Sequence, residues 1–160
     1  QHPDHQIRST GFGCHGRYQT LVVPRGGEYK LVLEDGSRVY LNSNTKLHFP
    51  LVFAGEKRVV HLEGEAYFEV AFDSLKPFIV MTGGMEVQVL GTKFNIKAYN
   101  DESDITTTLN QGHVRVSDIQ GRALELFPGE QIVYEKKVFV RGFSCKLCDK
   151  RIICAGTFTG

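Results

Sequence analysis

The chain has 160 residues, 41% hydrophobic and 23% charged, which predicts one globular domain, at most two small ones, and excludes global disorder. Nineteen basic side chains against eighteen acidic ones leave a net charge of +1, so there is no electrostatic case for nucleic acid or an anionic membrane surface. No apolar run approaches the ~18 residues that a membrane helix needs.

Residues 1–18 carry no periodicity. His2, His5 and His15 lie here with Gly11, Gly13 and Gly16, and the stretch reads as a flexible leader. The histidine spacing matches no ligand pair. From Gln19 a period of two takes over. Tyr29, Leu31 and Leu33 alternate with Lys30 and Val32, and Val39 and Leu41 alternate with Arg38, Tyr40 and Asn42. Asp35-Gly36 between these runs is a strong hairpin signal. Ala66, Phe68, Val70 and Phe72 make the next alternating run. A strand over Pro77–Met81, a tight turn at Gly83-Gly84 and a strand through Met85, Val87 and Val89 follow. Phe94, Ile96 and Ala98 alternate with Lys93, Asn95 and Lys97. After the polar turn 100–104, strands are expected near Thr106–Leu109, His113–Val116, Arg122–Phe127 and Gln131–Val140. Ala66, Phe68, Val70, Phe94, Ile96, Val114 and Val116 are the predicted core.

Helical periodicity is nearly absent, with at most one turn at Asp73–Leu75. Short strands at roughly ten-residue spacing predict an all-β domain. A loose repeat pairs Leu and Gly with two alternating apolar residues, its glycines falling at 36, 64, 91, 112 and 129. Irregular steps of this size predict a short, irregular β-solenoid, with a jelly-roll-like sandwich as the alternative.

Cys14, Cys145, Cys148 and Cys154 leave the β region free of cysteine. Only one close pair occurs, where zinc folds usually show two, so no metal is expected. In an oxidising compartment a disulfide is the expected use, with three full pairings open.

Catalytic patterns are missing. Glu65 and Glu69 point to one side of a strand roughly 13 Å apart, too far for a glycosidase pair, and are expected to face solvent or pair with a cross-strand cation. His48, His61 and His113 each stand alone in sequence, without the close histidine pair of a β-barrel metal site. No Gly-x-Ser-x-Gly is present, and Gly83-Gly84 lacks the Lys and Ser/Thr of a phosphate loop. The chain is therefore expected to be no enzyme and to need no cofactor. Gln131–Val140 reads as a terminal strand whose free edge accepts a partner strand, or is guarded by Lys136 and Lys137. Lys136, Lys137, Val138, Phe139 and Val140 are the candidate partner-binding residues. Tyr29, Tyr40, Tyr67 and Tyr99 would mark a glycan- or cell-wall-binding module if they formed an exposed row.

Several stretches carry a family resemblance in order along the chain: Val23–Tyr29, Leu33–Asn42, Gly64–Val70, Lys76–Val80, Val89–Ile96 and Pro128–Gln131. From about Tyr18 to Val140 the sequence resembles the FecR family, in the form common among Bacteroidetes. The resemblance divides the chain into a leader (1–18), a FecR-like β domain (19–141) and a tail or the start of a C-terminal module (142–160). It implies the periplasmic domain of an inner-membrane anti-sigma regulator that controls an extracytoplasmic-function sigma factor. The implied partner is the N-terminal signalling domain of a TonB-dependent outer-membrane transporter. The sigma factor and the membrane would be met only through a cytosolic segment and a helix outside this sequence.

Overall fold

The structure, a computed structural model, describes residues 6–11, 17–135, 138–143 and 156–158. The four cysteines, the leader histidines, Lys136 and Lys137 lie outside the described residues, so the expectations attached to them do too.

Among the described residues all regular structure is β, arranged as a curled open sheet. The sheet has two leaves that share one long strand. Leaf A runs in spatial order β1 (Gln6–Gly11), β2 (Arg17–Val23), β5 (Thr45–Pro50), β6 (Arg58–Glu69), β7 (Phe78–Thr82), β8 (Met85–Val89), β11 (Val114–Asp118) and β12 (Ala123–Leu126). Leaf B runs β3 (Tyr29–Val32), β4 (Arg38–Leu41), β6 again, β9 (Lys93–Ala98), β10 (Asp104–Gln111), β13 (Glu130–Glu135), β14 (Val138–Phe143) and β15 (Gly156–Phe158). A parallel neighbour, the pairing that stacked solenoid coils make, occurs between β6 and β7; the other ladders among the described residues are antiparallel.

β6 explains the curl. Residues 58–63 pair in leaf A and residues 64–69 in leaf B. The strand turns the corner at Gly64, where φ is +122° and a Cβ would lie 2.4 Å from the Thr45 hydroxyl. Only glycine fits such a bend. Through the corner the alternation holds, so Val60, Leu62, Ala66 and Phe68 all face one core between the leaves. Phe68 bridges them, stacked on Phe94 of leaf B at 5.0 Å and edge-on to Phe78 of leaf A at 6.2 Å. Each predicted core residue is buried, from Val70 at 8% exposure to Phe68, Phe94, Ile96, Val114 and Val116 at 0%.

Both predicted tight turns form. Asp35-Gly36 joins β3 to β4, and Gly83-Gly84, with φ of +49° and +81°, joins β7 to β8 as the primed turns of hairpins do. Asp73 starts an isolated turn, its carbonyl accepting from the Lys76 amide, and no helix develops. Several stretches differ from expectation: β5 and the first half of β6 carried no assigned strand, and Phe72, placed in the run after Ala66, lies beyond β6 at 73% exposure. Within the leader, β1 pairs with β2 from Gln6↔Val22 to Gly11↔Arg17. Ladder hydrogen bonds need no apolar alternation, so the sequence pattern carried no sign of this strand. The run expected as one strand over 131–140 is two, β13 and β14, with Glu135 opposite Val138.

Candidate interaction surface

The division of the C-terminal run changes the surroundings of its candidate residues. Phe139 is 1% exposed and packs on Tyr134 with ring centroids 4.8 Å apart. One edge of β14 pairs with β13, and the other pairs with β15 over Phe139–Arg141. The backbone groups expected to be free at a terminal strand are therefore paired within the chain at these residues. Val138 contributes a backbone pairing to Glu135, and Val140 keeps its side chain partly exposed.

The most elaborate polar arrangement lies elsewhere, around Arg58. Its guanidinium is 2% exposed and sits over the Phe78 ring at 5.4 Å. Nε donates to the Lys76 carbonyl at 2.7 Å. Nη1 donates to Asp35 Oδ2 at 2.7 Å and to the Ala71 carbonyl at 2.8 Å, and Nη2 donates to the Leu90 carbonyl at 3.2 Å. Asp35 is held in turn by the Ser37 amide and hydroxyl, each at 2.9 Å, and the Ser37 hydroxyl accepts from the Ala71 amide. Lys76 adds a hydrogen bond from Nζ to the Phe53 carbonyl. One buried cation thus ties the β3–β4 turn, the start of β6, the loop after β6 and the end of β8. This arrangement is a structural anchor, because its donors and acceptors are consumed internally.

The outer face of leaf B carries Lys30, Tyr40, Tyr67 and Asn95 in one cross-strand row. The Tyr40 and Tyr67 rings lie 6.0 Å apart and Lys30 Nζ sits 5.5 Å from the Tyr40 ring. With Asn42 and Glu65 they border an open groove of about 420 Å³. Glu65 accepts from Asn42 at 3.2 Å and Asn95 at 3.3 Å, and Glu69 meets Arg38 at 3.6 Å, the wet-face pairing expected of both carboxylates. Tyr29 borders the groove too but packs on the core, and the Tyr99 hydroxyl is spent on the Ser43 carbonyl at 2.8 Å, so of the four tyrosines that would mark a glycan-binding row, Tyr40 and Tyr67 are the two whose rings meet on this face. On leaf A, His48 and His61 are directly opposed across β5 and β6, with ring centroids 5.9 Å apart. His113 meets Glu125 at 3.0 Å, but both are about half exposed and Arg115 lies 3.6 Å from the other carboxylate oxygen, which makes a surface ion cluster. Among the described residues no three His, Cys, Asp or Glu side chains are grouped to hold a metal ion.

Residues 19–115 match the FecR protein family. The chain belongs to the FecR family. Two crystal structures, each of a proposed anti-sigma factor from Parabacteroides distasonis ATCC 8503, share its fold. One superposes with a TM-score of 0.76 at 34% identity over 79% of this chain and 60% of that one. The other has a TM-score of 0.75 at 35% identity over 78% and 59%. The chain therefore spans about three fifths of the length of these relatives. No curated protein matches it significantly.

Two arrangements in the FecR domain escape a reading along the chain. Arg58 looks like one more charged residue before a strand, and its role needs the partners from positions 35, 71, 76 and 90. The His48–His61 pair joins residues separated by a whole loop, so no short-range spacing could signal it. The Asp35-Gly36-Ser37 and Lys76-Pro77-Phe78 motifs were the available sign of the Arg58 anchor, since both converge on it.

Proposed function

We propose that this FecR domain is the periplasmic signal-transmitting part of a membrane-spanning regulator that controls an extracytoplasmic-function sigma factor. The observation that carries the reading is the family match over 19–115, supported by solved anti-sigma relatives about a third identical. Among the described residues no helix is long and apolar enough to cross a membrane, so in this reading the spanning segment belongs to another part of the regulator. The family is regulatory, and the proposed activity is binding without catalysis.

The proposed partner is the N-terminal signalling domain of a TonB-dependent transporter. The proposed docking region is the C-terminal end of leaf B, at Lys136, Lys137 and the β14 residues Val138–Val140. Phe139 would act there through the fold, as a core residue that holds β14 in place. Docking shifts the regulator only by the difference in the partner's affinity for its two states.

The test is calorimetric titration of the chain with signalling domains from the same organism, beside a sigma-dependent reporter in cells. Binding to one domain is expected, weakened at least about tenfold (about 1.4 kcal/mol) by Lys136→Glu, Lys137→Glu and Val140→Asp combined. Unchanged binding by this variant would move the docking region elsewhere and leave the regulator reading standing. No binding to any signalling domain, with a reporter indifferent to deletion of the regulator, would overturn that reading.

A further inference from the structure

The outer face of leaf A presents a row of donor side chains assembled entirely by strand register. Thr20 on β2 is opposite His48 on β5, His48 opposite His61 on β6, His61 opposite Met81 on β7, and Met81 opposite Glu86 on β8. Directly opposed residues share a face. His48, His61 and Met81 border the same open cleft, of about 450 Å³, which Lys46 and Glu63 also line. Those two are opposed across β5 and β6 in the adjacent row, so their charges offset beside the histidines.

We propose that His48, His61 and Met81 form a copper(I) site on this face, with two imidazoles and one thioether as ligands. The donor set decides the metal. Met81 stands directly opposite His61 and borders the cleft with both imidazoles, so a thioether is the donor placed beside them. A thioether is a soft ligand that suits copper(I), whereas zinc sites are built from thiolate, imidazole and carboxylate.

The surroundings prepare the ligands. His48 Nδ1 lies 2.9 Å from the Thr20 hydroxyl. With Nδ1–H donating to that oxygen, Nε2 keeps its lone pair for a metal, the arrangement in which an outer partner sets ring and tautomer. The Tyr18 ring stacks on His48 at 5.1 Å and limits its rotation. The ring centroids lie 5.9 Å apart at an interplanar angle of 61°, close enough for one ion to meet a nitrogen of each ring.

The test uses the fact that the chain has just two methionines. Both methionines border the cleft, but Met81 stands opposite His61 with its side chain partly exposed, whereas Met85 is 1% exposed and packed into the core. With the methionine methyls labelled with carbon-13, copper(I) is added anaerobically to the full chain in reduced form, in excess over its four cysteines. The Met81 methyl signal is expected to shift while the Met85 signal stays. In His48→Gln and His61→Gln variants the Met85 signal reports an intact core, and the copper concentration needed to move Met81 should rise at least about tenfold. A Met81 signal that stays put in the wild-type chain would overturn the proposal. So would a shift that persists undiminished in the double variant.

Discussion

Arg58 places a full charge where 2% of its side chain meets solvent, and each direction of its guanidinium finds an acceptor. A buried ion pair adds little net stability when compared with a well-packed apolar substitute, but removing one partner strands the other. Arg58→Ala leaves the Asp35 carboxylate and three carbonyls without their donor, and is expected to cost about 3–5 kcal/mol in urea unfolding. Arg58→Lys should recover only part of this, because an ammonium cannot reproduce the planar fork. Gly64 is constrained for a different reason. Gly64→Ala meets both a positive φ and a Cβ position 2.8 Å from the Thr45 Cα, so leaf A and leaf B cannot keep their approach. A loss of at least about 2 kcal/mol is expected. A loss below about 0.5 kcal/mol would show that the corner can relax.

Among the elements, the β11–β12 hairpin depends on one carboxylate. Asp118 Oδ1 accepts from the Gln120 and Arg122 amides, both at 3.0 Å. Its Oδ2 accepts from Arg122 Nε at 3.0 Å and Nη2 at 2.9 Å. Burial works to raise the Asp118 pKa, but the hydrogen bonds from Arg122 and Gln120 and the charge of Arg122 together outweigh it and hold the carboxyl below its ordinary value. The folded state therefore releases this proton more readily than the unfolded chain does. Its stabilisation is present above the unfolded value of about 3.9 and fades as pH falls through the lower folded one. Unfolding measured from pH 7 to pH 2 should show this acid loss in the wild-type chain and a shallower profile in Asp118→Asn. Equal profiles would show that the ionised carboxylate contributes nothing. The hairpin also makes β12 an edge of leaf A, as β3 is of leaf B, since each has one described neighbour.

At the scale of the whole molecule, β6 belongs to both leaves and its inner residues join one core, so neither leaf can open while the other keeps its packing. Cooperative loss of the two leaves is the expectation, with local opening confined to edges. Hydrogen exchange should therefore be slowest at β6 and its neighbours β7 and β9, and fastest at β3 and β12. Leaf A exchanging as a unit well before leaf B would contradict this. The same geometry bears on signalling. In the proposed function, a partner docked on leaf B would pull on a strand continuous with leaf A, so strain at one leaf would reach the other through the Gly64 corner.

The sequence by itself determined the all-β class, the two tight turns and the inward face of the central strands. These rest on local physics: alternation sets which side of a strand is buried, and Asp-Gly or Gly-Gly sets a hairpin. Ordered motifs were enough to point to the FecR family as well. Tertiary structure alone decided what depends on distant pairing. It split 131–140 into two strands, because a continuous apolar run is equally compatible with a strand and with both arms of a hairpin. It buried Phe139, gathered three other segments onto Arg58, and set His48 beside His61 and Met81. Register between strands far apart in sequence is fixed by the packing of the whole core, and no residue carries that information in its neighbours.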